Sequence, residues 1–369
     1  MEFEIENGRL KKYHPEPGKA KVVIPQNVTV IGNHAFSGCQ SLTEIEIPRS
    51  VKHIAKAAFY GCTALKAVLI AQGTVGDHAF DGCTGLLEAV MESGVTSIGV
   101  HAFSDCKRLR RVSIKGDQVE IGSAAFKGCH ALADERGFCV VRDVLYDYIP
   151  EEGNRDLLIP EGIKAISALA FYGCSALRSV SIAPSVRHIG ARAFGNCSGL
   201  ERVSLPQGLA SIGECAFLSC ASLTKIVIPQ GVSVIPGRGS WSVNGDGFEC
   251  IPGVFEECVR LKSVTLPQGL TQIGIRAFYG CASLNDLAIP DSVMNIDAWA
   301  FGSCSNLHTV RLPPHVKTID WCAFDNPSTC GIQRVLIPAM PEGPEKERLL
   351  RRIRQRVSLN ADVVDEAEG

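Results

Sequence analysis

Residues 42–62 read LTEIEIPRSVKHIAKAAFYGC, and this stretch decides the fold. Leu42, Ile45 and Ile47 have the two-residue alternation of a short strand, with Ile45 and Ile47 facing inward and Glu44 and Glu46 outward. Pro48 ends that strand, because proline has no N–H to give to a ladder. Val51 and Ile54 bring the chain back across the core. Ala58-Phe59 with Gly61-Cys62 then predicts a tight helical or 3₁₀ turn on the opposite side. A unit this small cannot bury its own apolar face, so its stability must come from stacked neighbours.

The neighbours are present. The Ala-Phe or Val-Phe step recurs at Phe36, Phe59, Phe80, Phe103, Phe126, Phe171, Phe194, Phe217, Phe255, Phe278, Phe301 and Phe324, mostly at intervals of 23 residues. The two wide gaps, 45 and 38 residues, mark insertions into a regular array. A period of this size means a repeat solenoid of about a dozen 23-residue turns, with short parallel strands on one face and tight helical or 3₁₀ turns on the other.

The unit Leu-x-x-Ile-x-Ile-Pro-x-x-Val-x-x-Ile, then Ala-Phe and Gly-Cys, resembles the Treponema-type (BspA-like) leucine-rich repeat over most of Val22 to Pro338, best in 177–197, 200–220 and 284–304. Met91 to Ser93 departs from it by lacking the proline, and the repeat at Phe324 has Pro327 in place of the aligned cysteine. The resemblance implies a leucine-rich-repeat fold. For function it implies a binding or adhesive repeat protein without a defined ligand.

A longer period is superposed on the short one. Residues 3–25 (FEIENGRLKKYHPEPGKAKVVIP) align without gaps on 138–160 (FCVVRDVLYDYIPEEGNRDLLIP), identical at eight of 23 positions. Asn7-Gly8 between alternating apolar residues is a hairpin signal. The expected organisation is a capping hairpin at 1–21, a first repeat module at 22–133, an inserted hairpin at 134–156 that protrudes, and a second module at 157–338 with a loop insertion at 236–250. At 339–369 the sequence predicts an amphipathic helix and an acidic tail. Leu349, Leu350, Ile353 and Val357 share a stripe of that helix, which starts with proline and acids and ends in arginines, as the helix dipole favours. Such a helix caps the array, although a basic amphipathic helix could also touch an acidic surface.

Net charge is −2, with 46% hydrophobic and 21% charged residues, which argues against disorder and against a basic nucleic-acid surface. No apolar run approaches the roughly 20 residues that a bilayer span needs. The first residues, MEFEIENGRLKKY, carry acids where a secretory signal has bases. With 16 cysteines but no C-x-x-C pair in a long chain, reduced thiols in a cytoplasm are expected, the alternative being export by a non-classical route.

No nucleophile elbow, phosphate loop, dinucleotide fingerprint or zinc-protease motif occurs, so no catalytic residue, cofactor or metal is assigned. Cys39 and its ten equivalents, each three residues after a phenylalanine, read as small buried core thiols. His78 and His101 share a column but gain no third ligand. Gly237-x-Gly239 and Asn244-Gly-Asp-Gly247 are fragments of phosphate- and calcium-loop patterns and read as loop.

The outward strand positions form two columns, one from Glu44 through Arg111, Arg202 and Lys225 to Arg334, the other from Glu46 to Leu336; neither holds an aromatic residue. The insertion does hold aromatics. Trp241 and Phe248 beside Arg238 have the composition of an interface anchor. The expected function is therefore a non-catalytic scaffold for protein–protein interaction, with Trp241, Phe248, Arg238, Arg202, Lys225 and Arg111 as candidate contacts and another protein as partner. A surface adhesin and a purely structural repeat protein are the alternatives.

Overall fold

The computed structural model describes residues 2–241, 248–320, 322–325, 332–338, 343–356 and 362–365. The chain divides into two compact units, Met1–Glu151 and Glu152–Gly369.

In the first unit the repeat positions stack in register as parallel strands. Val22 pairs with Ile45, Glu44 with Ala67, Ala67 with Glu88 and Glu88 with Arg111, across Lys21–Val23, Glu44–Glu46, Ala67–Val75, Glu88–Ile98 and Arg111–Ile114. A second ladder runs through Val30–Ile31, His53–Ile54, the far ends of the two long strands, and Glu120–Ile121. Pro25 and Pro48 separate the two ladders in the first turns. The next two turns have Ala71 and Glu92 at that position, and there the strand runs unbroken for 9 and 11 residues. Where proline stands at that position its missing N–H interrupts the ladder, but it is not the only divider, since Arg111–Ile114 and Glu120–Ile121 are separate strands with Lys115 in its place.

The turn holding Ala67–Val75 is also two residues shorter than the rest, and Gly73 absorbs the difference. Its φ is +86°, and a Cβ there would lie 2.0 Å from the Lys52 carbonyl oxygen. A left-handed backbone costs a non-glycine residue about 1–2 kcal/mol, and the clash is with backbone that cannot swing away. Gly73→Ala is therefore expected to lower the stability of the first unit by at least about 2 kcal/mol. An unchanged urea midpoint would show that the short turn can relax.

On the opposite side, Phe36, Phe59, Phe80, Phe103 and Phe126 are fully buried and stack with ring centroids 4.8 to 5.4 Å apart. The N–H groups of the first four bond to the alanine carbonyl of the next turn, as in Phe36 to Ala58 at 2.7 Å and Phe103 to Ala125 at 2.8 Å. The expected tight turns are there, but regular 3₁₀ helix in this unit is confined to His130–Leu132 among the described residues. The reason lies two residues before and after each ring, where the backbone is left-handed: His78 and Gly82 around Phe80, and His101 and Asp105 around Phe103. A single left-handed residue stops a right-handed helix from propagating.

The two hairpins have the same construction. Phe3–Glu6 pairs with Arg9–Tyr13 through Asn7 and Gly8, both at positive φ, as a type I′ turn needs. Phe138–Val141 pairs with Val144–Tyr148 in the same register, with the bulge at the equivalent place, Cys139/Val140 against Glu4/Ile5. The first hairpin covers the opening turn: Arg9 and Leu10 pair with Val30 and Ile31, and the Tyr13 ring stacks on Phe36 at 4.9 Å. Its outer edge carries the pairs Glu6–Lys11 and Glu4–His14, charges that discourage edge-to-edge pairing.

The internal hairpin does not protrude as expected. Phe138, Cys139, Leu145, Tyr146, Asp147 and Tyr148 are all buried. Tyr146 packs edge-on to Phe126 at 5.3 Å, and the Asp147 carboxylate accepts the Gly128 N–H at 2.8 Å and pairs with Lys127. Where the terminal hairpin has Glu4 and Lys11, this one has Cys139 and Tyr146. That exchange of charge for apolar surface turns an exposed cap into a packed layer.

The second unit repeats the plan. Asp156–Ile159, Ser179–Ile182, Arg202–Ser204, Lys225–Val227 and Ser263–Thr265 form one parallel ladder, and Asp286–Ala288, Thr309–Arg311, Arg334–Ile337 and Asp362–Asp365 another. The phenylalanine column runs from Phe171 to Phe324 at 4.8 to 5.4 Å. Phe217 and Phe255 stack at 5.4 Å although 38 residues separate them, so the insertion leaves the core spacing intact. It forms a two-stranded antiparallel ribbon, Gly239–Trp241 with Phe248–Cys250.

The C-terminal segment contains the expected helix, Pro344–Arg356, with Glu345 and Glu347 in its first turn. Leu349 and Ile353 are buried and Leu350 is half-buried, while Val357 lies outside the described residues. The expected acidic tail is only partly a tail, because Asp362–Asp365 pairs in parallel with Arg334–Ile337. Strand, helix and strand make a crossover unit, a longer connection of the kind parallel pairing requires. The adjacent Val363 and Val364 were the sequence signal for that strand.

Candidate functional site

The ladder fixes which side chains stand together. On the outward face of the second unit, Asp156, Ser179, Arg202, Lys225 and Ser263 occupy one in-register column, and Leu158, Ser181, Ser204, Val227 and Thr265 lie two residues on. Leu158 is 67% exposed and Val227 45%. The backbone of the preceding residues stacks as well, Arg178 N–H on the Arg155 carbonyl, Glu201 on Arg178, Thr224 on Glu201 and Lys262 on Thr224. These positions place Arg155, Arg178 and Lys262 beside the predicted pair, and reading only alternate strand positions missed them.

Arg202 and Lys225 are direct neighbours on adjacent strands, both exposed. Arg202 reaches Glu201 at 3.6 Å and Asp156 at 3.9 Å, and the Ser179 hydroxyl also donates to Asp156. Arg178 pairs with Glu201 at 2.5 Å. No acidic partner is found for Arg155, Lys225 or Lys262 among the described residues. Five cations therefore share the face with two carboxylates.

The first unit is electrostatically different. Arg111 is 72% exposed but lies 3.4 Å from Glu88, its register partner. Lys115 pairs with Glu92 at 2.8 Å, and Lys21 with Glu44 and Glu46 at 3.5 and 3.3 Å. Each of these cations is answered on the same face.

Arg238 lies at the base of the ribbon, paired with Glu214 at 2.7 Å and otherwise open to solvent. Trp241 and Phe248 are register partners in that ribbon. Their side chains, and residues 242–247 between them, lie outside the described part of the structure.

The titratable groups on the turn side are held by structure. His78 and His101 stack at 5.1 Å, His78 Nδ1 lies 2.8 Å from Asp81, and burial with the neighbouring His78 lowers the His101 pKa. Among the described residues no three histidine, cysteine or acidic side chains converge as metal ligands. The cysteine column has a function that spacing alone did not reveal. Nine of its thiols donate to the phenylalanine carbonyl of the preceding turn, among them Cys62 to Phe36 at 3.1 Å, Cys106 to Phe80 at 3.2 Å, Cys220 to Phe194 at 3.2 Å and Cys281 to Phe255 at 3.3 Å. The fourteen cysteines whose side chains are described are free thiols. No described helix is long and apolar enough to cross a membrane.

In-register strand columns, a stacked phenylalanine spine and turns of about 23 residues define a leucine-rich-repeat solenoid. Six copies of the BspA-type leucine-rich repeat region match residues 18–133, 153–238 and 251–342, and the chain belongs to that family. Among solved structures it is similar to a leucine-rich repeat protein from Bacteroides ovatus, at 26% identity over 94% of this chain and 83% of that one, with a TM-score of 0.47. A leucine-rich repeat protein from Eubacterium ventriosum is 19% identical over 72% and 84% of the two chains, TM-score 0.46. The Leucine Rich Repeat protein of T. pallidum is 24% identical over 62% and 99%, TM-score 0.35. No curated protein matches the chain.

Proposed function

We propose that this chain is a non-catalytic scaffold that binds another protein through the outward strand face of its second unit. The observation that carries this reading is the placement of Arg202 directly beside Lys225. Like charges opposed across a strand pair destabilise a sheet, and nothing in the repeat demands a cation at either position. A cost retained on a rigid, exposed face is what a recognition surface has and a pure spacer lacks. A reducing compartment fits the same reading, because a disulfide would abolish the thiol donors that serve the phenylalanine carbonyls. The burial of Leu349 and Ile353 favours a capping role for the terminal helix over one in membrane contact.

Photo-crosslinking in the producing cell tests the reading. A photoreactive residue at Ser204, exposed on the face, should yield a discrete protein adduct, and one at Ser198, exposed on the turn side, should not. Adducts of equal yield at both positions, or none at Ser204, would remove it.

A further inference from the structure

We infer that the strand face centred on Arg202 and Lys225 takes a short, extended, acidic peptide segment of the partner. This rests on the reading that the face is the binding surface, and deepens it by naming the chemistry of what binds. Arg202 and Lys225 stand on two adjacent strands of five, and Arg155, Arg178 and Lys262 immediately precede the other three, against Asp156 and Glu201 alone. Two of the five, Arg178 and Arg202, already share those carboxylates. The excess of positive charge is therefore concentrated on Arg155, Lys225 and Lys262, and a ligand must bring the counter-charge.

Geometry limits the form of that ligand. Adjacent strands lie about 4.8 Å apart, so the four steps from Asp156 to Ser263 span about 19 Å, the length of about six residues of extended chain at about 3.3 Å each. Such a chain crossing the strands presents every second side chain to the face. Carboxylates on those alternate residues would meet arginine forks and lysine ammonium groups, with the hydroxyls of Ser181, Ser204 and Thr265 as further donors. A nucleic acid is disfavoured, because single-strand binding relies on aromatic side chains for base stacking and these columns contain none.

Fluorescence anisotropy with the full chain tests this. The probes are a labelled peptide alternating glutamate and serine, the same peptide with glutamine for glutamate, and an oligothymidine of equal charge. Binding of the glutamate peptide should weaken by about tenfold or more in Arg202→Glu/Lys225→Glu, and by less than about twofold in Lys107→Glu/Arg108→Glu, which reverses exposed cations of the first unit. Arg202→Ser/Lys225→Ser, which relieves the repulsion between the two cations, should also lose binding while melting no lower than the parent chain. The glutamine peptide should not bind, and oligothymidine should bind no tighter than the glutamate peptide. Absent glutamate-peptide binding, equal losses in face and control variants, or a preference for oligothymidine overturns the inference. If Ser204 still captures a protein while the glutamate peptide fails, only the acidic chemistry is lost; if both fail, the binding reading falls with it.

Discussion

Phe194→Ala is expected to destabilise the second unit by about 3 to 5 kcal/mol, the range for deleting a large buried aromatic ring. Phe194 is fully buried and stacks on Phe171 at 4.8 Å and Phe217 at 5.3 Å, so truncation opens a cavity with a ring on either side of it. Collapse to fill that cavity is resisted by the backbone. The Phe194 N–H is bonded to Ala216 at 2.8 Å, and its carbonyl accepts both the Cys197 N–H and the Cys220 thiol, so the turn cannot shift without breaking three bonds. Because a solenoid is held by nearest-neighbour interfaces, the loss should fall on turns adjacent to Phe194 first. Hydrogen exchange measured with a urea titration reads both effects. Protection lost uniformly, or a midpoint that does not move, would contradict the spine as the source of cohesion.

The second large effect is alkaline. Burial pushes the Cys258 and Cys304 thiols up to about 12 and raises those of Cys220 and Cys281 well above the ordinary value. In an unfolded chain a thiol ionises near about 8.5. A group whose folded pKa lies above its unfolded one contributes stability that is complete below the unfolded value and is lost as pH rises toward the folded value. Each such thiol should lower stability by about 1.4 kcal/mol per pH unit in this window, or about 2 kcal/mol at pH 10. Several in one column would consume much of the 5–15 kcal/mol typical of a folded domain. Under reducing conditions the thermal midpoint should therefore hold to about pH 8.5 and then fall steeply. Cys281→Ala should start lower at neutral pH and lose less between pH 8 and 10. If parent and variant fall in parallel, the thiols are not the titrating groups.

What could be read from the residues alone was whatever the 23-residue period repeats: the inward Leu42, Ile45 and Val51 positions, the phenylalanine and cysteine columns, and the outward pairing of Arg202 with Lys225. A period constrains these because each residue meets its own equivalent one turn away, so a sequence offset is also a contact. The offset of 135 between the hairpins was legible as a gap-free alignment of 3–25 on 138–160, whereas the bulge they share emerged only in the strand register. Tertiary packing decided the rest. Cys139 and Tyr146, in place of Glu4 and Lys11, give the internal hairpin a surface to bury against Phe126, which its likeness to the terminal cap concealed. The thiol bond to the carbonyl of the preceding turn depends on Sγ and oxygen from residues 26 apart meeting within a few tenths of an ångström, a distance no spacing rule supplies. Arg155, Arg178 and Lys262 join the charged face because the backbone ladder extends one residue beyond the alternating strand. Whether a cation is balanced depends on the side chain on the next turn: Arg111 has Glu88, Lys225 has Arg202, and composition counts both residues as a single positive charge.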